Sequence, residues 1–378
     1  MLTIIALFTC LIWFWLTYMH GSFWRCSERL TDRPAPDKWP HVVVIIPARD
    51  EAETIGQVVA GHQNSDYPGE LTLILADDGS TDGTADIAKA NTTLDVVSVP
   101  DLAPSWTGKL WAVENALSRA EQIAPEANYV LLTDADILLA PDTLSRLVAK
   151  AEHEKLALTS IMARLDSRGP WASFLIPAFI YFFQKLYPFP RANNPDDNLA
   201  AAAGGCMLAR MEEVKAIGGM NTIRTTLIDD CAFARRIKDL TPSTKIWLGV
   251  ASDEAISLRD NRSLQSIWNM VARTAYAQLS FSPLLLIGTL VGMCLVYLAA
   301  PLILLSVFYH ANFIAIFFSA IACTLMAYTY WPTLRLYGRA PWEAVLLPVS
   351  AGLYTAMTFT SAMRHWRGQG GQWKGRSY

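Results

Sequence analysis

The chain has 378 residues, 52% of them hydrophobic and only 17% charged, with a formal net charge of -3. This is too apolar for an ordinary soluble enzyme, and the charge balance leaves no basic stripe for nucleic acid. The apolar excess sits at the ends, in residues 2–19, most of 283–332, and 342–363. Each stretch is long enough to cross a hydrocarbon core of about 30 Å once or twice.

Residues 1–22 read as an amino-terminal transmembrane anchor. Residues 1–19 have no basic leading region and no small-residue cleavage site, and they carry Trp13, Trp15 and Tyr18, aromatics suited to a membrane interface. The first basic residues are Arg25, Arg29 and Arg33, so the positive-inside rule places the amino terminus outside and the following segment in the cytoplasm. Pro34, Pro36 and Pro40 mark 23–40 as a linker. The six cysteines form no C-x-x-C pair and the six histidines have no ligand spacing, so buried thiols in a reducing compartment are expected and zinc is not.

From His41 the pattern is strand, loop, helix, repeated, which predicts an α/β, mostly parallel, doubly wound sheet over 41–262. Residues 42–46 form a β-branched strand closed by Pro47-Ala-Arg-Asp-Glu51, and 52–64 have helical spacing. Residues 71–76 are a second strand, closed by Asp77-Asp-Gly-Ser-Thr-Asp-Gly-Thr84, with a short helix over 85–91 and a third strand over 94–99. Trp106-Thr-Gly-Lys109 opens a helix running to about Ile123. The apolar run Tyr129-Val-Leu-Leu-Thr133 then stops at Asp134-Ala-Asp136. Three strands therefore end in carboxylates at the edge where open α/β sheets bind ligands. Gathering like charges there is costly unless a cation or hydrogen-bond donors offset it, and Mg²⁺ or Mn²⁺ with a nucleotide would do so. Residues 77–84 also have the composition of a turn with an N-cap.

Pro47-Ala-Arg-Asp-Glu51, Asp77-Asp-Gly-Ser-Thr-Asp82, Asp134-Ala-Asp136 and Leu227-Ile-Asp-Asp230 resemble the four ordered motifs of family 2 glycosyltransferases, whose fold is the nucleotide-sugar-binding GT-A domain. The resemblance covers roughly residues 41–270. The wider layout, with Gly204-Gly-Cys206 and the tail Trp373-Lys-Gly-Arg376, is similar to ceramide-glucosyltransferase-like members and most closely to bacterial hopene-associated glycosyltransferases. The resemblance implies that Asp78 and Glu51 help hold the uridine, Asp134 the nucleotide, and Asp136 the metal, with Asp230 as catalytic base. Pro47 and Arg49 belong to the donor-binding motif, and Lys109 and Arg273 are the candidate diphosphate contacts. The family's Q-x-x-R-W motif is degenerate here, reading Gln265-Ser-Ile-Trp268 followed by Arg273, which points to a single transfer rather than polymerisation.

The chemistry of Asp230 also stands on its own. Inverting transfer needs a carboxylate to take the proton of the attacking hydroxyl, and a neighbouring carboxylate such as Asp229 raises the pKa toward a useful value. Asp229 also sits where a helix cap would. Residues 171–190 read as an amphipathic segment in the membrane interface beside a lipid-acceptor entrance, with a buried core helix as the alternative. A second interfacial helix is expected over 263–281. The region 282–363 is expected to be transmembrane, with spans near 284–306 and 312–332. Residues 342–363 either cross or re-enter as a hairpin broken at Pro348 and Gly352, and the basic tail 364–378 is expected in the cytoplasm.

The expected protein is a multi-pass inner (plasma) membrane glycosyltransferase with its catalytic domain facing the cytoplasm. It would move one sugar from a nucleotide diphosphate donor to a membrane lipid hydroxyl, hopanoid or sphingolipid-like. A polyprenyl-phosphate acceptor is the rival reading, and a noncatalytic membrane scaffold is the alternative from another class. A nucleotidyltransferase would need a Gly-rich phosphate loop where Pro47–Glu51 stands.

Overall fold

The computed structural model describes residues 1–90, 94–370, 372–373 and 376–377. Asn91, the expected end of the second helix, and Lys374 and Gly375 of the tail motif lie outside the described residues.

Strand β1 (Val42–Ala48) is buried along its whole length, as a β-branched run without polar alternation must be when helices cover both faces. It pairs in parallel with β2 (Leu71–Asp77), and β2 with β3 (Asp95–Ser98). On its other side β1 pairs in parallel with β4 (Tyr129–Thr133). Beyond β4 lie β7 (Cys206–Arg210), β6 (Leu158–Met162) and β8 (Ile246–Val250). The order is β3-β2-β1-β4-β7-β6-β8, with β7 antiparallel to both neighbours and the rest parallel. The separate pair β5 (Ile137–Leu139) and β9 (Ala255–Ser257) is antiparallel.

Alternate residues of the sheet feed two cores. Val42, Val44 and Ile46 meet Ile55, Val58 and Val59 of α2 (Ile55–Gln63) and Leu144 and Leu147 of the later helix spanning Thr143–Glu154. Val43 and Ile45 meet Leu110, Val113 and Leu117 of the helix Gly108–Ile123 and Phe233 and Ile237 of the helix Asp229–Lys238. In chain order the helices around this sheet are α3 (Thr84–Lys89), α4 (Gly108–Ile123), α5 (Thr143–Glu154), α6 (Pro170–Leu186), α7 (Phe189–Ala192), α8 (Met211–Ala216) and α9 (Asp229–Lys238). They follow α1 (Leu2–Tyr18) at the amino terminus. The carboxyl ends of β1, β2 and β4 adjoin where the strand order reverses about β1, so their loops share one crevice.

Residues 26–33, expected within a free linker, are bound to this domain. The Glu28 carbonyl accepts from Val250 N at 2.9 Å, so the segment lies against edge strand β8. Arg29 donates to Ser252 Oγ at 2.8 Å, and Leu30 is buried in the sheet core.

After α10 (Leu264–Thr274) the chain is built of apolar helices. A π-helical turn at Cys294–Leu298 joins α11 (Pro283–Met293) to α12 (Ala299–Leu305). The short α13 (Val307–His310) and α14 (Phe313–Leu336) follow, and a 3₁₀ turn, Pro341–Leu346, leads into α15 (Leu347–Trp366). Among the described residues three helices are long and apolar enough to cross a membrane: Pro283–Leu305, Phe313–Leu336 and Pro341–Trp366. The α1 helix, at 17 residues, is shorter, and it packs into them. Asn312 Nδ2 donates to Thr3 Oγ1 at 3.0 Å at one end, and Trp13 Nε1 to the Val296 carbonyl at 2.8 Å further along.

Two alternatives left open by the sequence are narrowed. Within the segment 171–190, α6 is packed into the protein, as the core-helix alternative has it. Nine residues of α6 are buried, among them Leu175, Ile176, Ile180, Tyr181 and Phe182, because α14 and α15 cover the faces a bilayer would have touched. Tyr354 donates to the Leu175 carbonyl at 2.9 Å and Tyr181 bonds Thr329 at 2.9 Å. Residues 342–363 are not a hairpin: Pro348 lies in the first turn of α15, where a missing N–H costs nothing, and the helix continues through Gly352.

Candidate active site

Asp50 adopts φ 51°, which turns the β1 loop toward the β2 loop. The two loops are then joined by Thr81 N donating to Asp50 Oδ1 at 2.8 Å, Asp50 N to Ser80 Oγ at 3.0 Å, and Glu51 N to Thr84 Oγ1 at 2.8 Å. Asp82 belongs to this framework, accepting from Ala52 N at 2.9 Å and Thr84 N at 3.0 Å, as its turn-like context suggests.

A polar cavity of about 110 Å³ opens beyond these strands, lined by Pro47, Glu51, Thr107, Lys109, Asp134, Asp136, Thr226, Asp229, Arg259 and Arg273. Lys109, in the first turn of α4, lies 2.8 Å from Asp134 Oδ1 and 3.2 Å from Asp229 Oδ2. Burial lowers its pKa, but Asp134, Asp229 and Asp230 outweigh that and the net shift is upward, so it stays an ammonium. Asp136 accepts from Ser257 Oγ at 3.0 Å and faces Arg259 Nε at 3.4 Å. Arg259 also reaches to 3.9 Å from Glu51. For Arg259, burial lowers the pKa but Asp136 and Glu51 more than reverse it; for Arg273, burial and then the charge of Arg259 lower it.

A second, apolar cavity of about 380 Å³ adjoins the first. Phe179, Phe182 and Phe183 of α6, Met270 and Val271 of α10, Met293 of α11 and Tyr354 of α15 form its walls, and Asp230 faces it. Leu227, Asp229, Arg273 and Thr274 border both cavities. Asp230 is held in place by backbone donors: Gly204 N to Oδ2 at 3.0 Å and Cys231 N to Oδ1 at 2.7 Å. A Cβ at Gly204 would lie at ordinary contact distance from the Lys109 ammonium, 3.4 Å, and from Asp230, 3.5 Å. Removal from water, then the charge of Asp229, raises the Asp230 pKa from 3.8 to about 6 against the pull of those donors and Lys109.

Of the residues singled out from the sequence, Pro47, Glu51, Lys109, Asp134, Asp136 and Arg273 line the polar cavity and Asp230 the apolar one. Arg49 and Asp78 do not line either. Asp78 is buried, with its Oδ2 3.6 Å from Arg49 Nη1, and the same guanidinium donates to the Asp78 carbonyl. Asp229 is not the cap of α9; Ile228 holds the cap position, and the Asp229 carboxylate turns to Lys109 instead. Sequence reasoning missed Arg259 and Ser257. Their proximity to Asp136 depends on β9 pairing with β5, which aligns Ser257 with Ile137, and no local pattern announces that pairing.

Residues 43–218 match the family model described as Glycosyl transferase family 2. An N-acetylglucosaminyltransferase of Mesorhizobium japonicum is 27% identical over 152 residues, 38% of this chain; the chain spans only 34% of the length of that relative. The solved mannosyltransferase PcManGT from Pyrobaculum calidifontis, in complex with GDP-Man and Mn²⁺, aligns over 97% of this chain and 99% of its own, with a TM-score of 0.54 at 19% identity. At that identity the likeness speaks for the fold. Residues 43–218 thus carry the match to glycosyl transferase family 2, and the fold of the chain is the GT-A fold of glycosyltransferases.

Proposed function

We propose that the chain is a membrane-bound inverting glycosyltransferase that transfers one sugar from a nucleotide diphosphate donor, UDP-linked by motif, to the hydroxyl of a lipid. The observation that carries this reading is the meeting of a carboxylate-lined polar cavity with an aromatic-walled apolar cavity at Asp229 and Arg273, with Asp230 on the apolar side. The acceptor oxygen attacks the anomeric carbon while Asp230 takes its proton; the bond to the diphosphate oxygen breaks with its electrons, and a single displacement inverts the centre. Lys109 and Arg273 are placed to offset charge developing on the diphosphate. Glu51 and the loops joined by Asp50 and Asp82 would bound the nucleotide, with the Arg49–Asp78 pair behind those loops bracing them.

A divalent cation fits. Among the described residues no three His, Cys, Asp or Glu side chains converge to hold a metal alone, and Asp134 and Asp136 offer hard oxygen donors one residue apart. Mg²⁺ and Mn²⁺ are commonly held by one or two carboxylates with the remaining positions filled by phosphate and water. When bound, the cation would neutralise charge on the departing diphosphate.

The acceptor reading favours a neutral hydroxyl, as on a hopanoid or sphingolipid-like lipid, over a polyprenyl phosphate. A phosphate oxygen is already ionised near neutral pH and needs no base, and the adjacent Asp229 and Asp230 would repel it. The Lys185 ammonium in the same cavity donates to Tyr297 Oη at 2.9 Å.

The helices Pro283–Leu305 and Phe313–Leu336 cross the bilayer in this reading, with Arg25, Arg29, Arg335, Arg339, Arg364 and Arg367 on the catalytic, cytoplasmic side and the uncharged turn at 306–312 on the other. The helix Pro341–Trp366 has the length of a span, yet both its ends meet that same side. The turn Pro341–Leu346 packs against α14, and Ala362 clusters with Leu286 at the start of α11. Arg364 donates to Asn269 Oδ1 at 2.8 Å. We therefore place α15 along the interface, which keeps its basic end in the cytoplasm.

The test uses purified full-length chain, nucleotide sugars supplied singly, and a total lipid extract. Transfer to lipid with Mn²⁺ or Mg²⁺ is expected, with a product stable to mild acid, and Asp136→Asn should lose metal-dependent UDP binding while remaining folded. An acid-labile product would support polyprenyl phosphate. No donor binding at all would overturn the enzyme reading.

A further inference from the structure

A third cavity, of about 480 Å³, lies away from both of these, at the catalytic-domain end of α14. Three arginines line it from three separate parts of the chain: Arg25 from the turn after α1, Arg29 from the segment docked on β8, and Arg335 from the last turn of α14. Among the described residues, none of the three has a carboxylate within ion-pair distance, although the chain forms ion pairs elsewhere with Arg33, Arg146 and Arg339. Arg29 is positioned by its own bonds, Nε to the Cys26 carbonyl at 3.0 Å and Nη1 to Ser252 Oγ at 2.8 Å. The Arg25 guanidinium lies 5.4 Å from the centre of the Trp24 ring. Converging cations repel one another, and such a cluster is stabilised by an anion with several acceptor oxygens. Guanidinium groups match phosphate in geometry as well as charge.

The walls of this cavity say where the phosphate comes from. Trp331, Pro332 and Leu336 complete it, and Trp331 is 46% exposed, next to the 48% exposed Tyr328 on the same helix. Exposed aromatics one and two turns before a terminal arginine mark the level at which apolar chains give way to headgroups. Basic pockets between helices at that level suit anionic lipid headgroups. We propose that the pocket formed by Arg25, Arg29, Arg335 and Trp331 binds the phosphate of an anionic phospholipid of the cytoplasmic leaflet. One bound headgroup would tie α14 to the α1 turn and, through Arg29 and Ser252, to the edge of the catalytic sheet. It would thereby set the seat of the domain on the membrane. The inference rests on α14 lying in the bilayer, and that premise fails separately if the chain is released from membranes without detergent.

The test is native mass spectrometry of the detergent-purified chain titrated with phosphatidylglycerol, phosphatidylcholine or inorganic phosphate. Phosphatidylglycerol should bind at least about tenfold tighter than phosphatidylcholine, the size of one lost bidentate guanidinium contact, and the preference should shrink as salt is raised. Arg25→Gln/Arg335→Gln should abolish the preference, and Arg25→Lys/Arg335→Lys should keep part of it, since charge survives but the fork does not. Arg25→Gln alone, at an exposed position whose loss leaves the fold intact, should weaken it several-fold, with UDP binding unchanged in each variant. Equal binding of the two lipids, or a preference retained by the Gln variants, would overturn the proposal. Inorganic phosphate binding as tightly as phosphatidylglycerol would overturn its lipid character and leave an anion site.

Discussion

Asp230 is poised between two demands. As a base it must be ionised, yet its surroundings hold its pKa at about 6, above the 3.8 of an ordinary aspartate. Transfer measured as kcat/KM should therefore rise as pH increases through about 6 and level off above it, and Asp230→Asn should remove this limb. That substitution should cost at least about 10²-fold in rate while donor and metal binding persist, because Glu51, Lys109, Asp134 and Asp136 are untouched. Equal loss of donor binding would make Asp230 part of the donor site. The stability sign follows from the same shift. A carboxyl with a raised folded pKa stabilises the protein below its unfolded pKa and loses that contribution as pH rises through the folded value. Asp230→Asn should therefore melt higher than the parent at pH 8 and differ little at pH 4.

Asp230, the proposed base, is carried by one end of α9, and the other end is tied to the loop before Gly204. At the far end Lys238 Nζ donates to the Ala192, Asn194 and Leu199 carbonyls at 2.8, 2.8 and 2.6 Å, tying down the loop that returns the chain toward Gly204. Lys238→Met keeps the stem's packing but strips three acceptors of their donor. It should lower stability by on the order of 1–3 kcal/mol, read by thermal unfolding of the purified chain. Transfer should fall through acceptor KM more than through donor binding, because Asp230 at the start of α9 lines the apolar cavity. A variant that melts like the parent would show that water replaces the ammonium. The helix α6 acts at the same scale: with α14 and α15 covering it, its phenylalanines become cavity wall instead of membrane surface.

For the whole molecule, the proposed membrane orientation is one that labelling can check. In a background without native cysteines, a cysteine at Tyr309, 93% exposed in the turn at 306–312, should react with an impermeant thiol reagent from outside intact cells. Cysteines at Asp166 and Gln369 should be shielded until the membrane is opened. Labelling at Gln369 from outside would show that Pro341–Trp366 crosses the bilayer after all. Shielding at Tyr309 together with labelling at Asp166 would invert the molecule.

Much of the catalytic domain is legible in order along the chain, because it depends on local physics. Unbroken β-branched runs such as 42–46 have only a doubly covered central strand to go to, and carboxylates directly after them must fall at the sheet edge. The motifs at 47–51, 77–84 and 134–136 could therefore be assembled on paper into one crevice. What local physics could not supply was every contact made by chain segments far apart in sequence. Arg259 meets Asp136 only because β9 pairs with β5, and Asp229 turns from a cap to an ion pair because Lys109 arrives from α4. An apolar helix carries no mark of whether lipid or protein will cover it, so only packing against α14 and α15 decided that 170–186 is interior. The same holds for α15: its length permits a crossing, and it is the neighbours at its two ends that argue for a helix lying along the surface, because hydropathy records how apolar a segment is and not the direction in which it runs.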